Sequence, residues 1–418
     1  MLAMQTIKAL MTKHTLFIYD RVCRATWLAP LLILLPLLTS CSNDDDSGEN
    51  PSANSLTVLV FHPYCTLQDA LQQDYNEIIT NVKTKNLGSE VQLLHLVSAN
   101  TENYCLVETK VNESAVRHDT LRRYRFSELD YTTLDGLRHL LTDVKSVQRH
   151  NSLAMIIGSH GSGWLTYPEK DAKTQSGTKR KAFGSGERYN SKYVIYFQTL
   201  TEALQSLDTQ LKFLTLDCCN SQNVENAYHL RHITRWVIAS PTEILADGMP
   251  YNTDFHRLYL GDYTGFGQAF VNYYRKTGDE ATLSVVDTQQ MDDLVAVMRK
   301  INDRYYDANI AHLCEQAETR EIQPLGGATA RPDFVDFKDY VYHLCDDAEL
   351  RNEFDAALSK TVVWKDATEY FYWDAYWRGG QIYKLDVYSG ISDSEPISNY
   401  SKYMLETEWY KATHTSGN

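Results

Sequence analysis

The stretch "LTLDCCNSQNVENAYHLR" (residues 214–231) holds an apolar run, an aspartate, two adjacent cysteines, and then apolar residues at helical spacing. An apolar run that gives way to a 3.6-residue period reads as a buried strand passing through a turn into a helix. A thiol at such a turn is a candidate nucleophile, because a helix N-terminus lowers thiol pKa. Asn220 or Ser221 is the expected cap of that helix. The alternative is a pair of ordinary buried thiols, since free cysteine packs as a small hydrophobe.

The same alternation runs along the chain on both sides. "LTVLVFH" (56–62), "VQLLHLVSA" (91–99), "SLAMIIGSHGSGW" (152–164, ending in a Gly-rich turn), "LKFLTLDCC" (211–219) and "WVIAS" (236–240) are predicted strands. Between them, 66–84, 132–148, 199–207 and 221–233 carry helical patterns, the second capped by Thr133 or Asp135. Strands alternating with helices imply a mostly parallel sheet covered on both faces. Ligands bind such sheets at the carboxyl ends of the strands. The third strand ends in "GSHGSGW" (158–164), so His160 and the cysteine pair are expected on one rim. From about Thr277 the pattern becomes α+β, with helices over 284–310 and 335–362 and a strand pair near 369–390. We expect a catalytic domain over 55–275 and a C-terminal α+β domain over 276–418. The latter carries no chemical motif, and its aromatics read as core.

A chain of 418 residues that is 43% hydrophobic can bury a full core. Its 54 acids against 40 bases give a formal charge of −14, which repels phosphate backbones and argues against a nucleic-acid partner. Four basic residues (Lys8, Lys13, Arg21, Arg24) precede the short, Pro-broken apolar run "ATWLAPLLILLPLL" (25–38), as in a signal peptide over 1–40. The run ends in "LTSC", which resembles a bacterial lipobox with Cys41 as the lipidated residue. An ordinary signal peptide or an N-terminal anchor is the plainer reading. Residues 42–54, "SNDDDSGENPSAN", form an acidic linker that resembles the surface-export signal of Bacteroidetes lipoproteins. An exported, outer-membrane lipoprotein is therefore expected, held to the membrane through Cys41 and monomeric. Six further cysteines, Cys65, Cys105, Cys218, Cys219, Cys314 and Cys345, permit the disulfides Cys65–Cys105 and Cys314–Cys345 without requiring them. No CxxC spacing or clustered His/Cys set suggests structural zinc.

A thiol enzyme needs a thiolate, a base and donors for an oxyanion. Cys219, His160, and the backbone N–H groups of Gly161 and of the cysteine itself could supply them. "IIGSHGSGW" followed by "LDCCNSQNVENAYHLR" resembles the clostripain family of cysteine peptidases, which have a caspase-like fold related to gingipain, legumain and separase. Further matches are "IAS" (238–240), "DGMPY" (247–251), "YSGISDSEP" (388–396) and "SKYMLETEW" (401–409). The likeness spans roughly 56–409, strongest at the two strand ends and thin towards the C-terminus.

The resemblance implies a caspase-like three-layer sandwich and an endopeptidase cutting after Arg or Lys. Cys219 falls on the nucleophile of its Asp-x-Cys pattern, His160 on the general base, and Glu225, Ala227, Tyr228 and Leu230 on the following helix. Asp217 takes the place of the acid that selects a basic P1 side chain, with Asp247, or the nearby Glu243, as a second negative charge. The basic segment 167–192 lies where family members are often cleaved internally, which makes Lys179, Arg180 and Lys181 processing candidates. Cys218 departs from the small residue usual before the nucleophile; on a strand it points to the opposite face and is expected to pack. No third catalytic acid is evident and no cofactor is required. Calcium stimulates some members, and the acidic surface here permits it as a ligand, although this chain has no EF-hand-like loop. The competing reading is a non-catalytic, surface-displayed binding protein on the same fold.

Overall fold

A computed structural model of the chain describes residues 55–164, 193–326, 332–373, 381–395 and 404–414. The signal segment, Cys41, the acidic linker, and Lys179, Arg180 and Lys181 lie outside the described residues.

The centre is a nine-stranded sheet in the order β11-β8-β7-β6-β5-β1-β2-β3-β4. Its five middle strands are parallel: β7 (Trp236–Ala239), β6 (Leu214–Asp217), β5 (Ser152–Gly158), β1 (Leu56–His62) and β2 (Val91–Ser98). Two antiparallel strands close each edge, β3 (Asn103–Val111) and β4 (Val116–Arg125) on one side, β8 (Thr282–Asp287) and β11 (Val362–Ala367) on the other, while the short β9 (Pro324–Gly326) and β10 (Phe334–Asp336) pair in a separate small sheet. Strands in the middle are apolar on both faces because both faces are covered. On β1, Leu59 and Phe61 enter one core, while Leu56, Val58 and Val60 enter the other. On β5, Leu153, Met155 and Ile157 alternate with Ala154 and Ile156 in the same way. Each such fully buried side chain contributes about 1.5–3 kcal/mol.

One face is covered by α1 (Gln68–Thr84), α5 (Tyr251–Leu260) and α6 (Tyr263–Thr277). The other holds α2 (Leu134–Val147), α3 (Phe197–Gln205), α4 (Val224–Leu230), the long α7 (Met291–Thr319), α8 (Phe337–Leu344), α9 (Ala348–Thr361) and α10 (Glu408–Thr413). This is a three-layer α/β sandwich with a mainly parallel centre. Helix α2 begins at Thr133, whose side chain accepts from Gly136 N, so Thr133 and not Asp135 is the cap.

Three features depart from the sequence reading or were left open by it. The expected boundary near residue 276 does not bound the central sheet, because β8 and β11 belong to it. The change of pattern near residue 277 marks a switch from parallel to antiparallel strands within one sheet. The β3–β4 hairpin was not foreseen, because β4 is the arginine-rich "VRHDTLRRYR" and carries no apolar alternation. Charge on an edge strand deters pairing with other chains, which explains that composition. Finally, Cys65, Cys105, Cys314 and Cys345 form no disulfide in the structure, so neither permitted pairing is made.

Candidate active site

The register of β5 on β6 builds the site. Gly158 pairs with Asp217, and neighbouring strands lie about 4.8 Å apart. Two residues beyond that pair come His160 on one chain and Cys219 on the other. They leave the sheet side by side at its carboxyl rim. The pairing continues past the strands through Ser159 N, which donates to Asp217 O at 3.3 Å. Gly161 then lies directly on the cysteine backbone. A Cβ there would sit 2.4 Å from Cys219 O, 2.9 Å from Cys219 N and 2.8 Å from Cys218 Cβ. Gly163 has φ +65°, and a side chain on it would strike Asn220 O at 2.8 Å. Asn220 itself takes φ 53°, a left-handed conformation that asparagine tolerates.

The turn that carries Cys219 is tied down by the next strand. Asn220 N donates to Thr242 O at 2.8 Å, and Ser221 N and Gln222 N donate to Ser240 O at 2.9 and 3.0 Å. The amides of these three residues therefore point across the sheet rim and do not start a helix. Helix α4 begins later, at Val224, with the Asn223 side chain accepting from Asn226 N at 2.9 Å. This corrects the expected cap at Asn220 or Ser221. It also places Cys219 outside the first turn of α4, so the dipole of that short helix is not what activates the thiol.

Three thiols gather behind this rim, and burial separates them. Cys218 is 1% exposed, with Sγ 3.4 Å from Ile157 O, and burial followed by the adjacent Asp217 pushes its thiol well up. Cys65, which follows β1, is buried as well, and burial pushes its thiol up despite hydrogen bonds from Leu67 and His160 amides. A protonated buried thiol is a poor nucleophile. Cys219 is half-exposed, with Sγ 3.6 Å from Ile244 O. His160 is also half-buried, and its Nε2 lies 2.8 Å from Thr66 Oγ1. Thr66 was missed in the sequence; its only signal is its position just beyond β1, at the point where strand order reverses.

Below the rim lies a set of acids. Asp217, at the end of β6, is 7% exposed, and burial pushes its carboxyl up to about 6. The Tyr251 hydroxyl and Met249 N–H face it, yet Asp217 Oδ2 has no partner of good hydrogen-bond geometry, nor has the Tyr251 hydroxyl. Asp74 of α1 is 5% exposed, and burial followed by Asp217 holds its carboxyl well above the usual range. Glu77 and Asp247 act on Asp74 in the same direction, with Asp247 itself exposed. Asp74 was also missed, although it lies at helical spacing between Leu71 and Ile78, on the apolar face of α1. Among the described residues no group of three His, Cys, Asp or Glu could hold a metal ion.

The segment after His160 is anchored from the far end of the chain. Trp164 Nε1 donates to Ser394 Oγ at 2.9 Å, and Ser394 N donates to Glu225 Oε1 at 3.2 Å. Ser392 N donates to Gln222 O at 3.0 Å, joining the segment 389–395 to the cysteine turn. Burial, and then Asp393, raise the Glu225 carboxyl well above its ordinary value.

The Gly161 contact makes a direct prediction. Gly161→Ala forces a methyl into two backbones that are each held by hydrogen bonds, and such overpacking costs about 1–3 kcal/mol. A thermal melt should show a clear fall in Tm; an unchanged Tm would mean that the two turns do not meet as described.

Comparison with known proteins agrees with this architecture. A model of the clostripain family, Peptidase C11, matches residues 66–404. Among solved structures, a secreted C11 cysteine protease from Bacteroides thetaiotaomicron, "iotapain", is similar at 28% identity and TM-score 0.75, over 86% of this chain and 99% of that one. An inactive zymogen C11 protease from Parabacteroides distasonis shares the fold at 24% identity and TM-score 0.72, over 86% and 98% of the two chains. A clostripain from B. thetaiotaomicron, in complex with the peptide inhibitor BTN-VLTK-AOMK, matches at 31% identity and TM-score 0.50, over 56% of this chain and 100% of that one. No curated protein matches the chain. With most of its length matched by the family model, and with the strand-end geometry described above, the chain belongs to the clostripain family of cysteine peptidases.

Proposed function

We propose that this cysteine peptidase is an endopeptidase that cuts after Arg or Lys, with Cys219 as nucleophile and His160 as its base. The observation that carries the proposal is the rim geometry. Of three neighbouring thiols, Cys219 alone reaches solvent, and it leaves the sheet beside His160. Thr66 Oγ1 lies 2.8 Å from Nε2 of the imidazole and holds the ring at the rim. His160 takes the thiol proton and Sγ attacks the scissile carbonyl carbon. The N–H groups of Gly161 and Cys219 hold the oxyanion. The proton then passes to the leaving amine, and water cleaves the thioester that remains. Side chains and backbone supply every step, so no cofactor is required.

Asp217 is the acid that reads the P1 side chain. A buried carboxylate without a partner is costly, and a substrate cation satisfies it. Asp247 adds negative charge at the mouth. The inhibitor in the B. thetaiotaomicron clostripain complex carries the peptide VLTK, ending in Lys, which is in keeping with a basic P1 residue. We further propose export as a lipoprotein anchored through Cys41, with outer-membrane display. The secreted nature of the similar B. thetaiotaomicron enzyme supports export. The protein is expected to act as a monomer on protein or peptide substrates.

Two experiments test this reading. Fluorogenic peptides differing only at P1 should be turned over with Arg or Lys and not with Ala or Asp. Asp217→Asn should lower kcat/KM for the basic peptides by about tenfold or more, the scale of a lost charge-assisted hydrogen bond. Equal turnover of all four peptides would refute the basic preference, and turnover of none would favour the non-catalytic reading. Separately, the exported protein is expected to cut itself near Lys179, Arg180 and Lys181, giving two chains on a denaturing gel. Cys219→Ala should remain whole. Identical fragments from both proteins, or no cleavage in either, would exclude self-processing.

A further inference from the structure

The acids behind the rim outnumber what one substrate cation requires. Asp74 and Asp217 are both buried, and the charge on Asp217 opposes ionisation of Asp74. The groups facing them come from every neighbouring element. Glu77 lies one turn along α1, and Asp247 lies in the loop after β7. Tyr251 stands at the start of α5, Tyr274 lies on α6, and Cys218 follows Asp217 in the chain. The charged groups acting on the pair are therefore acids. Two buried carboxyls acted on only by other acids cost stability unless a proton or a ligand cation offsets their charge.

The geometry around them is also built for close approach. Gly248 has φ +63°, and a Cβ on it would come within 2.8 Å of Asp74 Oδ1 and 3.0 Å of Oδ2. Tyr274 donates to Gly248 O at 2.8 Å and holds that loop over the carboxyl. The loop thus lies on Asp74 with nothing but main chain. Asp217 Oδ2 and the Tyr251 hydroxyl, neither in a hydrogen bond of good geometry, lie beside the same carboxyls.

We propose that Asp74 is a second carboxylate of the P1 pocket, sharing one proton with Asp217 while the pocket is empty and releasing it when a guanidinium or ammonium enters. This rests on the reading of Asp217 as the P1 acid. Two like charges in one site cannot both ionise cheaply, so the empty pair keeps a proton. An incoming cation offers several N–H donors and offsets both charges, so both carboxyls ionise in the complex. The proton leaves to solvent and nothing is oxidised or reduced. Affinity for basic substrates therefore rises with pH through the titration of the pair and falls on acidification. An exported enzyme built this way would select its substrates most strongly in neutral surroundings.

Benzamidine, an amidinium that mimics an arginine side chain, is the probe. Calorimetry of the active protein at pH 6, in two buffers of different ionisation heat, counts the protons exchanged. The wild type should release close to one proton per benzamidine bound. Asp74→Asn should raise the Kd by about tenfold or more, reduce proton release to well under half, and raise KM for an Arg peptide more than it lowers kcat. It should also flatten the pH dependence of KM between pH 5 and 7. Asp74→Glu should restore part of the binding, which a purely structural role would not. Binding without proton release in the wild type overturns the proposal, and that count holds even if the variants do not fold. If Asp217→Asn weakens benzamidine while Asp74→Asn binds it like the wild type, this inference fails and the P1 reading stands. If Asp217→Asn also binds like the wild type, the P1 reading itself fails.

Discussion

Main chain resting on main chain, Gly161 against Cys219, is the contact on which the rest of the site depends. Parallel pairing of β5 with β6 brings the two strand ends to within one strand spacing. A side chain at residue 161 would hold the two turns apart, with only 2.4 Å available to it beside Cys219 O. Glycine allows the imidazole of His160 and the thiol of Cys219 to leave the sheet as neighbours. The turn beyond the thiol is then pinned by amides donating to Ser240 and Thr242, and the turn beyond the imidazole by Trp164 on Ser394. Both turns are held by groups far away in the sequence. This is how a rigid sheet can position reactive atoms that lie on loops.

Burial does the chemical sorting around that contact. It keeps Cys65 and Cys218 protonated inside the core and leaves Cys219 at the surface. It also drives Asp217 and Asp74 towards their neutral forms, against the ordinary preference of a carboxylate. Strain of this kind is retained where a ligand relieves it. The opposite face of the site, around Glu225 and Asp393, uses buried carboxyls differently. There Ser394 N donates to Glu225 and Glu395 N donates to Asp393, so part of each acid is satisfied by the chain itself.

The sequence carried much of this in local signals. Strand β1 was legible to the residue, and β5 and β6 were legible because apolar runs end abruptly at Gly158 and Asp217. His160, Gly161 and the cysteines were legible because chemistry at a parallel sheet concentrates at strand ends. What was not legible depends on distance along the chain. The cap of α4, Asn223, was misplaced because the amides of 220–222 find carbonyls at 240 and 242, and no local pattern encodes that. The membership of β8 and β11 in the central sheet was hidden for the same reason, since strand partners come from across the fold. Asp74 had a local signal, an acid on an apolar helix face, but only the fold supplies Asp217 as its neighbour. Thr66 had no signal beyond its place after β1.

The central claim is that Cys219, and not its neighbour Cys218, is the reactive thiol. The most direct measurement is peptide mapping by mass spectrometry after reaction with an arginyl chloromethyl ketone. The account predicts one adduct per chain, on Cys219, with Cys218 and Cys65 unmodified until the protein is unfolded. Modification of Cys218, or no adduct on Cys219 in a folded protein cut within the basic segment 167–192, would contradict it.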